Sequence, residues 1–418
     1  MATANSSKVF NVMHPICCGL DVHKRTISAC LLITHSDGHV ESQIEEFGTF
    51  TDELFRLRDW LLENNCHVVA MESTSVYWQP VYNVLEGSVE VQLVNARHTK
   101  HVPGRKTDIE DCQWLANLLR NGLIKASFIP PKRTRQQREL TRLRKKYLEC
   151  LADYKRRTQK LFESANIKIS SVATDLFGTT GRALMRLLIT KSEITFEDVE
   201  ACAKGRLVRK VQELYRSIQG FFEQHHRFIL EELLSTVEFL EAKIAKLDAK
   251  IEELLKENND IIERLDEVPG INRVAACSLL SELGDTLETF PNSQALASWA
   301  GVCPGNNESA GKRYSGKTRV KKHPLKTLLV EIAWAAVKKK GSYYQAKYYR
   351  LKARRGAKRA IIAIAHRILK AIYHIIKHGD TYRELGDNYL DKRTRSYKLR
   401  KLKAEAKTLG YRLVPINS

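Results

Sequence analysis

The chain has 418 residues, which is more than one hydrophobic core usually serves, so we expect roughly two or three domains. Its 69 Lys and Arg against 48 Asp and Glu give a formal net charge of +21. This excess argues against an ordinary metabolic enzyme and indicates a polyanionic partner, with nucleic acid favoured over an acidic membrane face. A single small scaffold is excluded.

Targeting features are not evident in the sequence. No run of about 18 apolar residues could cross a bilayer, and the start of the chain lacks the apolar core of a signal peptide. We therefore expect a cytoplasmic protein without a membrane partner. The nine cysteines are an odd number, with no C-x-x-C pair and no His-rich spacing, so we interpret them as buried thiols.

The first quarter of the chain predicts an α/β domain. Three apolar runs divided by turn residues predict strands, and a helix, a strand, a helix and a strand follow. The predicted ranges are 16–22, 26–34, 40–47, 52–63, 67–71, 76–85 and 89–94. Three antiparallel strands followed by alternating helices and strands are typical of a ribonuclease-H-like fold.

The middle of the chain predicts two long helices. Residues 133–166 place apolar positions at helical spacing among many Arg and Lys. From Leu230 to Leu254, apolar residues alternate in steps of three and four, as in a coiled coil. That seam needs a partner helix, either in a second copy or within the chain, and the basic helix is one candidate.

The last part predicts a mostly helical domain. Residues 268–271, Val-Pro-Gly-Ile, link two helical patterns in the manner of a helix-hairpin-helix, which either offers backbone N–H groups to a phosphate or is a plain turn in the core. Between residues 312 and 378 there are twenty Lys and Arg but one acid, Glu331. The interleaved aromatics either stack on unpaired bases or lie in the core.

Four carboxylates in the first quarter suggest a metal site. Asp21 and Glu72 end apolar strands, where a negative charge is costly unless it is paired or bound to metal. Asp108 and Asp111 lie three apart on a predicted helix and share one face. Such a set suits Mg²⁺ or Mn²⁺ acting on a phosphate. Taken singly, each acid is more often a turn former or a helix cap.

Ser309 is a candidate nucleophile. It lies in a predicted loop between Gly305 and Gly311, beside Lys312 and Arg313, where a phosphate could approach the backbone. A serine hydroxyl needs a base or a metal ion to react. The simpler alternative is a serine that only fits a glycine-rich turn.

Five sequence blocks, taken together, resemble one family. They are residues 19–24, 71–74, 106–111, 268–271 and 300–312. In this order they are similar to those of the DEDD transposases of insertion-sequence family 110, the bridge-RNA-guided recombinases. The resemblance covers residues 16–345. Two departures are Cys112, where an Ala is common, and the run from Lys321 to Lys326.

The resemblance implies a RuvC-like amino-terminal domain in which Asp21, Glu72, Asp108 and Asp111 bind Mg²⁺. It also implies that Ser309 forms a phosphoserine intermediate with DNA. A structured guide RNA would pair with donor and target DNA. Protomers joined through coiled coils would form a dimer or tetramer with composite sites, in the nucleoid of a prokaryote that carries the mobile element.

We therefore predict four regions: a RuvC-like catalytic domain at 12–130, a helical coiled-coil region at 131–260, a transposase domain at 261–380 and a basic tail at 381–418. The predicted nucleic-acid contacts are Lys24, Lys106, Arg142, Lys145, Lys146, Lys312, Arg313 and Lys317. Two alternatives stay open. One is a junction-resolving nuclease in which water attacks, and the other is a nucleic-acid-binding scaffold without catalysis.

Overall fold

The computed structural model describes residues 12–73, 75–94, 108–124, 126–304, 307–309, 312–315, 323–412 and 414. For residues 108–109, 307–309, 312–315 and 392–393 it describes the backbone alone. The chain forms two compact units, Met1–Ile129 and Pro130–Ser418. The predicted helical region, transposase domain and basic tail all lie within the second unit.

The first unit is built on a five-stranded sheet. Its strands are β1 (Ile16–Val22), β2 (Thr26–Thr34), β3 (Val40–Gly48), β4 (Val68–Glu72) and β5 (Glu90–Val94). Their order is β3-β2-β1-β4-β5. β1, β2 and β3 are antiparallel, whereas β4 and β5 run parallel to β1. This topology confirms the predicted ribonuclease-H-like fold.

Helices cover both faces of the sheet because the central strands are apolar on both sides. α1 (Thr51–Glu63) and α2 (Trp78–Leu85) pack on one face, where Leu57 and Leu85 join a core with Leu20 and Met71. α3 (Asp108–Arg120) packs on the other face through residues such as Leu115. A sheet with helices on both faces buries its strands in near-continuous apolar runs.

The second unit begins with a pair of long helices, α4 (Lys132–Ser164) and α9 (Gln224–Leu254). They run antiparallel, since Arg133 bonds the carbonyl of Leu254 at 2.9 Å and Lys155 meets Glu241 at 3.1 Å. The seam of α9 therefore faces α4 of the same chain along this length. Leu143, which periodicity placed on the apolar side of α4, is 42% exposed, and α4 instead buries several polar residues.

Shorter helices complete the second unit. Between the long pair lie α5 (Ile169–Val172), α6 (Thr179–Thr190), α7 (Phe196–Cys202), a 3-10 turn (Gly205–Lys210) and α8 (Val211–Ser217). After α9 come a 3-10 turn (Lys256–Asn258), α10 (Asn259–Asp266), α11 (Arg273–Leu283), α12 (Ser293–Trp299), β6 (Asn307–Ser309), β7 (Lys312–Ser315), α13 (Pro324–Ala336), α14 (Tyr343–Arg355), α15 (Ala357–His378) and α16 (Tyr389–Thr408). The mostly helical carboxyl-terminal part is as predicted.

The turn between α10 and α11 is packed into the core. A Cβ added at Gly270 would lie 2.4 Å from the carbonyl oxygen of Ile332 in α13, and its φ of +87° favours glycine. Ile271 is buried, and its N–H donates to the Val268 carbonyl at 3.0 Å. This placement favours the plain turn in the core, and a phosphate contact at the hairpin stays a prediction.

All nine cysteines are free thiols. Six are buried, as expected, whereas Cys150, Cys202 and Cys303 are partly exposed. Across the described ranges, helices that combine bilayer-spanning length with sufficient apolarity are not found.

Candidate active site at the sheet edge

Two of the predicted metal ligands lie at the carboxyl ends of neighbouring strands. β1 and β4 pair in parallel with Leu20 opposite Met71, so the next register position places Asp21 beside Glu72. Side chains in register on parallel strands point to the same face. Both carboxylates therefore project from adjacent backbone positions on one face of the sheet.

That face is the one that α3 covers. Cys17 has the same strand parity as Asp21, and its Sγ lies 3.5 Å from the carbonyl oxygen of Ala116 in α3. Ala70 has the same parity as Glu72 and belongs to the core cluster formed with α3. Since successive side chains alternate between faces, Asp21 and Glu72 lie on the α3 side.

A glycine in β1 sets how closely α3 approaches. A Cβ added at Gly19 would lie 2.1 Å from the carbonyl oxygen of Cys112 and 2.5 Å from the amide nitrogen of Ala116. Cys17, which precedes Gly19 in β1, contacts Ala116, which follows Cys112 in α3. The helix therefore runs antiparallel to β1. Two strand residues rise about 6.6 Å, close to one helical turn, so the start of α3 extends toward the level of Asp21.

The second pair of predicted ligands lies in this first turn. Asp108 is the first residue of α3, and Asp111 follows three positions later. Asp111 is exposed, and the side chain of Asp108 lies outside the described atoms. The acidic start of the helix is also where the positive end of its dipole favours carboxylates.

Asp21 is more shielded than an ordinary surface acid, since its side chain is 15% exposed. His23 Nε2 lies 3.1 Å from Asp21 Oδ2, at hydrogen-bonding distance. His23 is not among the site residues predicted from the sequence. One feature of the sequence did indicate that His23 lies near the site. His23 follows Asp21 by two positions, and residues two apart in a strand lie on the same face.

Cys112 helps to hold the start of α3 against the sheet. It is buried, and its side chain shares a hydrogen bond with Cys30 of β2 that lowers the pKa of Cys30 to about 7 and raises the pKa of Cys112. Cys30 Sγ also lies 3.6 Å from the hydroxyl of Ser42. Cys112 thus fills an apolar site beside Asp111 with a polarisable side chain.

The described acids lie in one region of the first unit, but their side chains do not form a preorganised metal site with three ligands. Among the side chains that the structure describes, Asp21, Glu72 and Asp111 do not bring three ligand atoms within 4.8 Å of one another. Like charges resist closer approach until a cation joins them. Oxygen-only donors of this kind fit Mg²⁺ or Mn²⁺ and would be poor ligands for softer metals.

Ser309 belongs to a short hairpin in the second unit. β6 and β7 are antiparallel, and Ser309 pairs with Lys312. Part of the predicted loop is therefore strand, at residues 307–309, whereas Gly305, Ala310 and Gly311 lie outside the described residues. Nothing is described of the side chains of Ser309, Lys312 or Arg313, whose roles stay predictions.

The predicted nucleic-acid contacts differ in how they are placed. Lys24 is exposed after β1. Arg142 forms a bidentate pair with Glu282 at 2.9 and 3.1 Å, so its guanidinium is occupied within the fold. Lys145 is half-buried and lies 3.4 Å from Glu331 of α13, whereas Lys146 is exposed and lies 3.5 Å from Glu149. Lys106 and Lys317 lie outside the described residues.

The interleaved aromatics serve the core more than the surface. Four tyrosines of the second unit are buried, namely Tyr343, Tyr344, Tyr348 and Tyr373. The Tyr373 hydroxyl donates to the carbonyl of Phe290 at 3.0 Å. Tyr349 and Trp334 are exposed and remain available for stacking.

Comparison with known proteins gives matches in two parts of the chain. Residues 18–167 match a family model described as a transposase of the IS110 DEDD type, and residues 262–350 match one described as "Transposase IS116/IS110/IS902 family". The first match contains the four acids and the second contains the serine hairpin.

A curated relative is the transposase for insertion sequence element IS1111A of Coxiella burnetii. It is 28% identical over 144 residues, which are 34% of this chain and 39% of the relative. The chain thus spans well under half the length of that protein. The RuvC structure of Thermus thermophilus is also similar, with a TM-score of 0.22 and 13% identity, covering 27% of this chain and 99% of that one.

The two family matches lie in the order in which the sequence blocks occur, one in each structural unit for most of its length. The ribonuclease-H-like topology of the first unit agrees with the acidic match. The chain belongs to the IS110 family of DEDD transposases.

Proposed function

We propose that the protein is a DNA recombinase that moves its own insertion sequence. It would cut and rejoin strands with Ser309 as the nucleophile, assisted by metal ions at Asp21, Glu72, Asp108 and Asp111. The observation that carries this proposal is the placement of Asp21 beside Glu72 on the face where the acidic start of α3 docks.

The covalent step is a phosphoryl transfer to serine. The hydroxyl oxygen of Ser309 attacks a DNA phosphorus and releases its proton. The bond from phosphorus to a deoxyribose oxygen breaks, and the departing oxygen takes up a proton. A phosphoserine ester and a free strand end result. Attack by the hydroxyl of another strand reverses the step, restores the serine and joins the strands. No net oxidation or reduction is required.

Divalent cations held by the four carboxylates would stabilise the charge that develops on the phosphate and favour the ionised serine. Mg²⁺ is the expected ion, with Mn²⁺ as a substitute, because all the proposed ligands are carboxylate oxygens. His23 would tune this site, since it already shares a hydrogen bond with Asp21.

The partners follow from charge and from the family. Donor and target DNA and a structured guide RNA would bind the basic surfaces, with choice of sequence delegated to RNA pairing. The protein would act as a dimer or tetramer at the nucleoid. Since the seam of α9 is largely occupied by α4, assembly would use other surfaces of these helices or exchange of the pair between copies. Sequencing of RNA that co-purifies with the protein tests guidance directly.

The decisive experiment is trapping of the protein–DNA adduct. Full-length protein is incubated with its element ends and Mg²⁺, denatured, and analysed for DNA that migrates with the protein. We expect an adduct with wild type and with Ser315→Ala, a matched control in the same hairpin, but not with Ser309→Ala. Asp21→Asn and Glu72→Gln should lose at least about 100-fold in cleavage, the scale on which one charge-stabilising group acts.

Two results would overturn parts of this proposal. Cut strands released by Ser309→Ala, with no adduct in wild type, would assign the attack to water and make the protein a junction nuclease. Cleavage that survives both Asp21→Asn and chelation of divalent ions would remove the acids from the chemistry.

A further inference from the structure

The second unit contains a cleft of about 800 Å³ beside the segment that leads to the serine hairpin. Its walls come from α14, α15 and the start of α13, and Val302 and Pro304 close one edge. Six cationic side chains line it: Lys326, Lys347, Arg355, Lys358, Arg359 and Arg367. Among the described residues that line the cleft, none is Asp or Glu.

The turn between two helices concentrates this charge. α14 ends at Arg355, Gly356 with φ of +76° separates the two helices, and α15 starts at Ala357. Arg355, Lys358 and Arg359 are therefore gathered at one corner, and all three are exposed. The opposite side of α15 is buried in the core, so the cationic side of the helix is held in place rather than free to turn.

The floor of the cleft is apolar. Ala360 is buried, and Ile362 and Ala363 are half-buried and face the cleft one turn later on α15. Half-buried His366 continues the row, and burial lowers its pKa, which favours the neutral ring. A cationic rim above an aliphatic floor suits a ligand with outer phosphates and flat, weakly polar groups beneath them.

That pattern fits a single nucleic-acid strand better than a duplex. In a duplex the bases are paired inside and cannot reach an apolar floor, whereas an unpaired strand can place phosphates on the rim and bases below. The volume is that of a drug-sized ligand, or about two nucleotides. Arginine side chains can also stack on base faces.

We propose that this cleft, which we call the α14–α15 cleft, binds an unpaired stretch of the DNA strand next to the phosphate that Ser309 attacks. The inference rests on the proposed function for its choice of DNA. Pro304 lies at the cleft edge and is five residues from Ser309, which spans at most about 18 Å of extended chain. A strand in the cleft thus lies within a short reach of the hydroxyl.

The test compares two triple variants of the full-length protein that remove equal charge. One is Arg355→Gln with Lys358→Gln and Arg359→Gln. The control is Lys204→Gln with Arg206→Gln and Arg209→Gln, which are exposed elsewhere on the second unit. Binding of fluorescent single-stranded DNA, single-stranded RNA and duplex DNA of one sequence is measured by anisotropy over a range of salt.

For the cleft variant we expect single-stranded DNA affinity to fall at least about 10-fold and the salt slope to decrease by up to about 3, as phosphate contacts are lost. The control variant should change neither the single-stranded DNA affinity nor the salt slope by much. Equal losses in both variants, or none in the cleft variant, would overturn the proposal. A loss confined to RNA or to duplex DNA would also overturn it and assign the cleft to that ligand.

The outcome is separable from the proposed chemistry because it does not need cleavage. Ser309→Ala should bind single-stranded DNA like wild type. If wild type gives no adduct but the cleft variant still loses single-stranded DNA, the recombinase proposal fails while the cleft remains a binding site. A 5-iodouracil next to the cut position should cross-link to α14 or α15, and cross-links found only elsewhere would contradict the cleft assignment.

Discussion

The docking of α3 on the sheet and the docking of α4 on its neighbours use different forces. α3 approaches β1 backbone to backbone at Gly19, within an apolar cluster. α4 combines apolar packing, such as Phe162 in one core cluster with Leu230 of α9, with charged pairs, in which Arg144 meets Asp248 of α9 and Arg142 meets Glu282 of α11. The first contact depends on shape and should be insensitive to salt. The second depends partly on charge, and its exposed ion pairs should weaken as salt rises.

This difference matters for function because α3 carries two of the proposed metal ligands. A contact fixed by shape keeps the start of α3 in place when ions or nucleic acid change the local charge. By contrast, the basic helix α4 satisfies much of its charge within the fold, so its cations are not all available to a ligand.

The largest effect should come from filling the close contact at Gly19. Gly19→Ala would place a methyl group 2.1 Å from the Cys112 carbonyl, so either α3 or β1 must move. We expect a loss of about 3 kcal/mol or more in the free energy of unfolding of the first unit, with loss of cleavage. Urea unfolding followed by circular dichroism measures it.

The matched control for that prediction is Gly48→Ala. A Cβ there would meet the flexible side chain of Glu53 at 3.1 Å, which can move aside. We expect a change below about 1 kcal/mol. Equal destabilisation by the two variants would show that the contact at Gly19 is not what positions α3.

A smaller loss in the free energy of unfolding should follow from removing the buried acid that joins α11 to α4. Glu282 is 6% exposed and lies between Arg142 and Arg138, whose pKa burial lowers to about 10. Glu282→Gln leaves these guanidinium groups without their counter-charge, so we expect about 3 kcal/mol of destabilisation at most. Glu149→Gln, at an exposed pair, should cost under about 0.5 kcal/mol. A negligible effect of Glu282→Gln in urea unfolding would contradict the prediction.

Sequence reasoning was most successful where one local pattern decides the structure. Short apolar runs bounded by turn residues located the strands, and the acids at strand ends could be placed because adjacent parallel strands share an edge. The seam of α9 was visible as a period of three and four. These features need only neighbouring residues.

Features that depend on distant residues could not be predicted. Periodicity cannot tell which helix lies opposite α9, and the pairing of Arg144 with Asp248 joins residues 104 positions apart. The role of Gly19 becomes visible only once α3 is placed. Likewise, the cationic cleft arises from the turn at Gly356, which brings Arg355 and Arg359 together. In the sequence, these two residues are not distinguished from the many other basic residues around them.

A moderate effect is expected for the pair that links α4 to α9. Arg144 is 16% exposed in its side chain and Asp248 is 37% exposed, so the pair is partly shielded from water. A double-mutant cycle with Arg144→Gln and Asp248→Asn should give a coupling energy of about 1 kcal/mol that falls with salt. The exposed pair of Lys250 and Glu253 should give about 0.3 kcal/mol or less by the same cycle. Equal couplings would show that shielding does not strengthen the contact.

The last comparison uses thiol labelling, which requires no substitution. It compares how tightly the two units are packed around their cysteines. All five cysteines of the first unit are buried, and burial raises the pKa of Cys66 to about 12. Since the thiolate is the reactive form, Cys66 has almost none of it at about pH 8, whereas Cys30, with a pKa of about 7, is protected by burial alone. We expect a maleimide reagent, followed by mass spectrometry, to label only Cys150, Cys202 and Cys303 quickly. Labelling of Cys112 in the native protein at a similar rate would mean that α3 leaves the sheet readily.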